Sequence, residues 1–244
     1  MFINKTPEMK KLLKLAFTDF KLIFRDPSLR SFLVLPVILF VLIIWGVPPL
    51  IEKYDFLFPY LSLFLVVGVI ENTQMFCFIN TMVLIDEKES DVAKVYGVVP
   101  LSKMEYVFSR FLLPYLFTVV LNLILLFVQT ICDISTASAL LISFLAALVV
   151  PVYALAINSL VQNRMQGMVY VKAFNMLVLI PLAAFFVPEK FVHWFGVFPT
   201  HWVFQAIDRA TQNLSIGVFA AIGFVFFLAL LWLVSRIFVR KHFV

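Results

Sequence analysis

Residues 214 to 235 read LSIGVFAAIGFVFFLALLWLVS and contain no charged side chain. An α-helix rises about 1.5 Å per residue, so a stretch of this length crosses a hydrocarbon core roughly 30 Å thick. Lipid offers no hydrogen-bond partner to the backbone, so the stretch must be a helix or a strand of a closed barrel. Barrel strands alternate polar and apolar residues, and this stretch does not. It is therefore predicted to be a membrane-spanning helix.

The composition extends this prediction to the whole chain. Of 244 residues, 63% are apolar and 14% are charged, whereas soluble proteins have roughly 45–50% apolar and about 25% charged residues. The second apolar block is too long for one crossing, so it is expected to tilt or to continue into the cytoplasm. We predict one all-α integral membrane domain over residues 1–244, with spans at about residues 31–51, 57–85, 109–131, 137–160, 169–187 and 214–235.

Prolines are expected to interrupt several of these spans. A proline inside a helix removes one backbone hydrogen bond and kinks the helix, which is tolerated in a membrane when neighbouring groups satisfy the freed carbonyl. The prolines that fall inside the predicted spans are Pro36, Pro114, Pro151 and Pro181.

The N-terminal segment is predicted to be an amphipathic helix over residues 7–26. Its apolar residues recur at helical spacing, and lysines and arginines occupy the other faces. Such a helix is expected to lie in the headgroup layer as an anchor before the first span, although a helix packed on a partner fits the same pattern. The segment lacks the compact apolar core and cleavage site of a signal peptide, so cleavage is not expected.

The distribution of basic residues predicts the orientation. With both termini inside, sixteen lysines and arginines are cytoplasmic, and only Lys53, Lys190 and Arg209 lie outside. Basic residues concentrate in cytoplasmic segments of membrane proteins. The net charge of +5 is thus an orientation signal that also attracts anionic lipid, and it does not indicate nucleic acid binding.

The connection between the second and third spans is predicted to form a cytoplasmic elbow. Val92, Val95 and Tyr96 recur at helical spacing, which predicts a short amphipathic helix that ends near Gly97 and Pro100. The charged residues beside them are Glu87, Lys88, Asp91 and Lys94. Ser102 followed by Glu105 is a capping box, so a new helix is expected to begin there and to enter the third span.

The connection between the fifth and sixth spans is predicted to lie outside. It is aromatic, and prolines and a glycine break it into two short helices that are expected to dip into the outer leaflet. Its characteristic residues are His193, Trp194, Pro199, His201 and Trp202. A metal site is not predicted, because two histidines eight residues apart lack further ligands. Cys77 and Cys132 are too few to define a disulfide framework.

Polar residues inside the spans leave two interpretations open. Glu71 lies near the centre of the second span, beside Asn72 and Gln74. A mid-membrane acid is by default a candidate functional residue, so these three side chains line either a substrate pathway or a dimer interface. The alternative is an interhelical hydrogen-bond cluster that fixes helix packing. Packing is the favoured interpretation for Asn122, Gln129, Asn158 and Asn175.

At the two connections the sequence resembles the type-2 permease family of ATP-binding-cassette exporters. The cytoplasmic pattern of an acidic residue, a short helix and a Pro-Leu-Ser step corresponds to Glu87, Asp91, Pro100, Leu101 and Ser102. The outer pattern corresponds to Phe198, Pro199, Trp202, Ile207 and Arg209. The chain departs from many relatives in its acidic run at residues 86–91, where they have a glycine.

The resemblance implies a permease without its own motor. The chain has no Gly-x-x-x-x-Gly-Lys-Ser/Thr phosphate loop, so ATP and magnesium are expected on two separate ATPase subunits. A second permease chain, identical or different, is expected to complete the pathway in the bacterial cytoplasmic membrane. The residues implied in ATPase coupling are Glu87, Lys88, Asp91, Val92, Lys94, Val95, Tyr96, Pro100 and Ser102.

Two other functions fit the composition. A secondary transporter driven by an ion gradient typically has paired broken helices in two related halves, and the sequence shows no clear repeat. A membrane-embedded enzyme would require clustered catalytic side chains within the spans. The aromatic, uncharged spans favour lipids, hydrophobic drugs or amphipathic peptides over small ions as substrates.

Overall fold

The computed structural model describes residues 27–90 and 103–242, which contain helices and no strand. The predicted helix at residues 7–26 lies outside this part of the chain. The described residues include six helices long and apolar enough to cross a membrane, as predicted. These spans are Leu29–Lys53, Asp55–Glu89, Val107–Val128, Thr136–Leu160, Arg164–Phe186 and Gly217–Lys241.

Local breaks divide four of the spans, of which the second consists of a 3-10 turn, Asp55–Tyr60, and the helix Leu61–Glu89. The first consists of Pro27–Phe32, Leu35–Val41, a π-helical turn at Leu42–Gly46, and Val47–Lys53. The fourth consists of Thr136–Ala147 and Val149–Asn158. The fifth consists of Arg164–Leu179 and the 3-10 helix Ile180–Phe186.

Pro36, Pro151 and Pro181 each lie within three residues of the start of the helical piece that follows a break. A proline is well tolerated in a first turn, where its missing N–H has no helical partner to bind. Pro114 differs from the prediction, because it lies inside the third-span helix Lys103–Val128 without dividing it.

The second and fourth spans form the centre of the bundle. In their most apolar windows 72% of the residues are buried, against 17–33% in the other four spans. The second-span helix, Leu61–Glu89, follows a 3-10 turn at Asp55–Tyr60 and packs on the first, third, fourth and fifth spans. At about 1.5 Å per residue its 29 residues exceed the hydrocarbon thickness, as expected.

The second-span helix extends further than the sequence predicted. Glu87 and Lys88 belong to the last turns of the second-span helix, which ends at Glu89, and not to a separate short helix. A continuous helix is favoured here because both side chains find partners within the bundle. The third-span helix begins at Lys103, directly after the predicted capping residue. Residues 91–102 lie outside the described part of the chain.

The connection between the fifth and sixth spans, which is predicted to lie outside, contains a short helix, Glu189–Val192, a 3-10 turn, His193–Val197, and a longer helix, Pro199–Thr211. The longer helix, here called the outer helix, packs on the second, fourth and sixth spans. Its buried side is formed by Val203, Phe204, Ala206, Ile207 and Ala210. These positions lie on one face at helical spacing, which explains why the helix enters the bundle.

Gly223 allows the sixth span, helix Gly217–His242, to approach the fourth span and the outer helix. A Cβ atom at position 223 would lie 3.0 Å from both δ-carbons of Leu145 and from Cβ of Trp202. A Cβ atom at Gly217, in the same helix, would meet only Ser215 Oγ at 3.9 Å.

Gly223→Val is therefore expected to destabilise the protein by about 1–3 kcal/mol, the usual cost of overpacking. Gly217→Val is the matched control, because it adds the same side chain to the same helix in open space. Thermal unfolding of the purified protein measures both variants. Equal unfolding temperatures for the two variants would contradict this close approach.

Candidate coupling base and translocation face

A buried ion pair anchors the end of the second-span helix to the third span. Arg110 Nη2 lies 2.8 Å from Glu87 Oε1, and the two side chains are only 2% and 7% exposed. Charges are costly to bury unless they are paired, so each side chain depends on the other. Glu87 was predicted to contact an ATPase. In the single chain its side chain is turned into the bundle toward Arg110.

The same helix end is bound to the connection between the fourth and fifth spans. Lys88 Nζ donates a hydrogen bond to the Val161 carbonyl oxygen at 2.7 Å. Glu89 Oε1 accepts one from the backbone N–H of Arg164 at 2.7 Å. Asp86 forms an ion pair with the Arg164 guanidinium at 3.2 Å. The four charged residues at positions 86–89 therefore bind the third span on one side of the second-span helix and the connection between the fourth and fifth spans on the other.

The sixth span joins this group through Lys241, whose Nζ donates to the Ser159 carbonyl oxygen at 2.9 Å. We call this set the coupling base: Asp86, Glu87, Lys88, Glu89, Arg110, Ser159, Val161, Arg164 and Lys241. It links five of the six spans at the point where the chain leaves for residues 91–102. Of the predicted coupling residues, Asp91, Val92, Lys94, Val95, Tyr96, Pro100 and Ser102 lie outside the described residues.

Asn72 does not face an open surface. It is buried, and its Nδ2 donates to Asn122 Oδ1 at 2.7 Å. Asn122 Nδ2 in turn donates to Thr73 Oγ1 at 3.1 Å. This cluster joins the second span to the third, which agrees with the packing interpretation for both asparagines.

Gln74 is also buried, in a contact with the fifth span. Its Nε2 lies 3.4 Å from the Asn175 carbonyl oxygen. The Asn175 side chain accepts a hydrogen bond from the Tyr153 hydroxyl, which also lies 2.9 Å from the Val171 carbonyl oxygen. Gln74 and Asn175 thus connect the second, fourth and fifth spans.

Glu71, in contrast, is exposed on the surface of the single chain. A Cβ atom at Gly68, one turn before it, would lie 3.1 Å from Leu125 of the third span and 3.5 Å from Ile43 of the first. Phe78, two turns after it, lies against Phe32, with 4.3 Å between the ring centroids. Because Gln74 contacts the fifth span, Glu71 lies on the strip of the second span between the first and fifth spans. We call this strip the translocation face, after the role proposed for it below.

The residues predicted for the outer connection separate into buried and exposed groups. Trp194 is 75% exposed and His193 is exposed, whereas His201 is 1% exposed. Trp202 is half-buried, and its indole N–H donates to the Gly196 carbonyl oxygen at 3.1 Å. Pro199 is half-buried in the first turn of the outer helix.

Burial, together with the nearby His193, lowers the pKa of His201 to about 4. Its imidazole is therefore neutral at physiological pH. Within residues 27–90 and 103–242, no group of three or more His, Cys, Asp and Glu side chains is placed to hold a metal ion.

Sequence reasoning missed most partners of the coupling base. Arg110, Arg164 and Lys241 were counted as orientation signals without being paired with an acid or a carbonyl group. A usable signal was present at Arg110, because a charge inside a predicted span needs a partner. The Ser159 and Val161 carbonyl oxygens gave no such signal, because any backbone carbonyl can accept a hydrogen bond.

Six packed helices long and apolar enough to cross a membrane, with a mid-span acid on an exposed face, define the class: a helical membrane-embedded protein. The family model described as "Fluoroquinolones export permease protein Rv2686c-like" matches residues 19–235. The chain therefore belongs to this family of export permeases. The match confirms the resemblance to permease subunits of ATP-binding-cassette exporters.

The chain is similar to two curated proteins of Mycobacterium tuberculosis. They are the fluoroquinolones export permease protein Rv2686c of strain ATCC 25618 / H37Rv and its counterpart MT2760 of strain CDC 1551 / Oshkosh. Each is 30% identical over 107 residues, which cover 43% of this chain. The matched segment spans 42% of the length of each relative. No solved structure matches the chain.

Arg110→Gln is expected to lower the free energy of unfolding by about 3–5 kcal/mol, because it leaves the buried Glu87 carboxylate unpaired. Arg164→Gln is the matched control. Its ion pair with Asp86 is more than a third exposed and should contribute about 0–1 kcal/mol. Thermal unfolding in detergent measures both variants.

Adding Glu87→Gln to Arg110→Gln should restore much of the loss, because no unpaired buried charge then remains. The buried pair would be contradicted by equal effects of the two single arginine variants, or by an additive loss in the double variant.

Proposed function

We propose that the chain is the membrane-spanning subunit of an ATP-driven exporter of amphipathic, drug-like molecules. Two permease chains enclose the pathway, and two separate ATPase subunits bind at the cytoplasmic elbow. Both termini and the coupling base lie in the cytoplasm, in accord with the distribution of lysine and arginine.

The exposure of Glu71 is the observation that carries this proposal. An acid on the outer surface of a span costs a few kcal/mol when it faces lipid. A second permease chain that covers the translocation face removes this contact and places Glu71 in the space between the two chains. The first and fifth spans, which border Glu71, are little buried within one chain, so both have surface that a second chain can cover.

The coupling base offers a route by which an ATPase bound at the elbow could move the membrane spans. Residues 91–102 connect two helices whose ends are tied together by the Glu87–Arg110 pair. A force on this segment therefore acts on both helices, and through Lys88 and Arg164 on the connection between the fourth and fifth spans. Packed helices respond to such a force by shifting between discrete arrangements.

The substrate class rests on the relatives and on Glu71. The similar proteins are named as exporters of fluoroquinolones, which favours drug-like molecules here. A carboxylate in an otherwise apolar pathway selects an amphipathic molecule with a basic nitrogen, because the opposite charge compensates the cost of burying the acid. Glu71 is thus assigned to substrate recognition, and Asn72 and Gln74 to helix packing.

Glu71→Gln is expected to reduce ATP-dependent transport of an amphipathic cation by about tenfold, the effect of losing about 1.4 kcal/mol of charge pairing. Transport of a neutral analogue should change much less. Uptake into inside-out vesicles that contain the permease and its ATPase measures both. Glu52→Gln, which neutralises an exposed acid near the end of the first span, is the control. Equal transport of the cation by Glu71→Gln and wild type would contradict the assignment.

Asp91→Lys with Lys94→Glu tests the ATPase partner. Exchange of two charges on the elbow should weaken co-purification of the ATPase by about tenfold, because complementary charges set the affinity and specificity of such interfaces. Asp133→Lys is the control, because Asp133 is exposed in the connection between the third and fourth spans, on the opposite side of the membrane. Unchanged co-purification and ATPase activity in the double variant would contradict docking at the elbow.

A further inference from the structure

An apolar groove lies on the lateral surface of the bundle, between the third and sixth spans. Its volume is about 420 Å³, within the range of cavities that hold small organic ligands. The fourth span, which packs on both the second and the sixth, forms its floor. The residues that define it include Phe111, Tyr115, Leu148, Pro151, Leu228 and Trp232.

The groove has almost no polar group free to recognise a polar ligand. The Tyr115 hydroxyl already donates to the Phe144 carbonyl oxygen at 3.2 Å, and Ser235 is 2% exposed. An occupant of the interior is therefore held by apolar contact alone, as a hydrocarbon chain is.

The groove lies in the half of the bundle that contains the coupling base. Val107, which lines it, is one turn from the start of the third-span helix at Lys103. Ser235 is about two turns from the end of the sixth-span helix at His242. In the topology proposed above, on which this inference rests, this half lies in the cytoplasmic leaflet.

Basic side chains continue from the groove toward the cytoplasm. The Arg236 guanidinium carbon lies 3.8 Å from the centre of the Trp232 ring, which forms part of the groove wall. Arg236 and Arg240 are exposed and follow Trp232 at intervals of four residues, so the three lie along one side of the helix. An apolar slot with two arginines at its cytoplasmic end matches a lipid with a negatively charged headgroup.

We propose that the groove binds one acyl chain of an anionic phospholipid, whose phosphate contacts Arg236 and Arg240. The site differs from the translocation face, because Glu71 lies between the first and fifth spans, whereas the groove lies between the third and sixth. The lipid fills the space between the third and sixth spans, each of which contacts the centre of the bundle along one side only. It thereby supports the sixth span, in whose most apolar window only 17% of the residues are buried in the protein.

The test is a native mass spectrometry titration of the full-length permease with dioleoylphosphatidylglycerol and, separately, with dioleoylphosphatidylcholine. The anionic lipid should bind more tightly, and Arg236→Gln and Arg240→Gln should each weaken its binding about fivefold. Arg30→Gln, which removes an exposed cation near the start of the first span, is the matched control and should leave the affinity unchanged.

Leu228→Trp fills the groove without removing a charge, and Leu228 is 53% exposed, so the variant is expected to fold. It should weaken binding of both lipids. Four results would each overturn the proposal: equal affinity for the two lipids, unchanged affinity in both arginine variants, displacement of the lipid by a transported drug, or crosslinking of two permease chains through position 228.

If the wild-type permease co-purifies with its ATPase and transports drugs but does not bind the anionic lipid selectively, only the lipid site is rejected. The titration uses the permease without its ATPase. Selective lipid binding without ATPase co-purification or transport would therefore reject the proposed exporter and leave the lipid site intact.

Discussion

Polar groups inside a lipid bilayer must find partners within the protein, and the second span is where this constraint is strongest. It contributes Asn72, Thr73, Gln74 and Glu87 to the interior, and each has a partner on a neighbouring element or in its own helix. These contacts reach the third and fifth spans. Since lipid gives apolar side chains little reason to prefer one neighbour over another, the polar contacts fix which helices lie side by side.

One helix thereby serves two purposes. Its C-terminal end is fixed in the coupling base, and its middle presents Glu71 on the translocation face, about four and a half turns away for a helix of 3.6 residues per turn. Between them the helix is buried and bonded to its neighbours, so it behaves as a rigid connection. In the proposed exporter, a displacement at the end of this helix would reach Glu71 through the rigid helix itself, as a permease driven by a separate ATPase requires.

Much of the fold could be predicted because the membrane thickness limits the length, and therefore the number, of the spanning helices. Six spans, the start of the third-span helix after Ser102 and three of four proline breaks follow from apolar length and helix capping. The directions of neighbouring polar side chains could not be predicted. Glu71 and Asn72 are adjacent, yet one is exposed and the other buried, and an almost uniformly apolar helix has no amphipathic pattern to indicate which side faces inward. The partners of Glu87 and Lys88 were also hidden, because they are distant in sequence.

The proposed mechanism requires the coupling base and residues 91–102 to lie on the side of the membrane where ATP is present. The most direct test labels single cysteines in intact cells, in a chain whose Cys77 and Cys132 have been replaced by serine. Ser90→Cys, beside the coupling base, should react with a membrane-impermeant maleimide only after the membrane is opened, whereas Asp133→Cys should react from outside. Labelling of Ser90→Cys in intact cells, with protection of Asp133→Cys, would contradict the topology and the ATP-driven mechanism that depends on it.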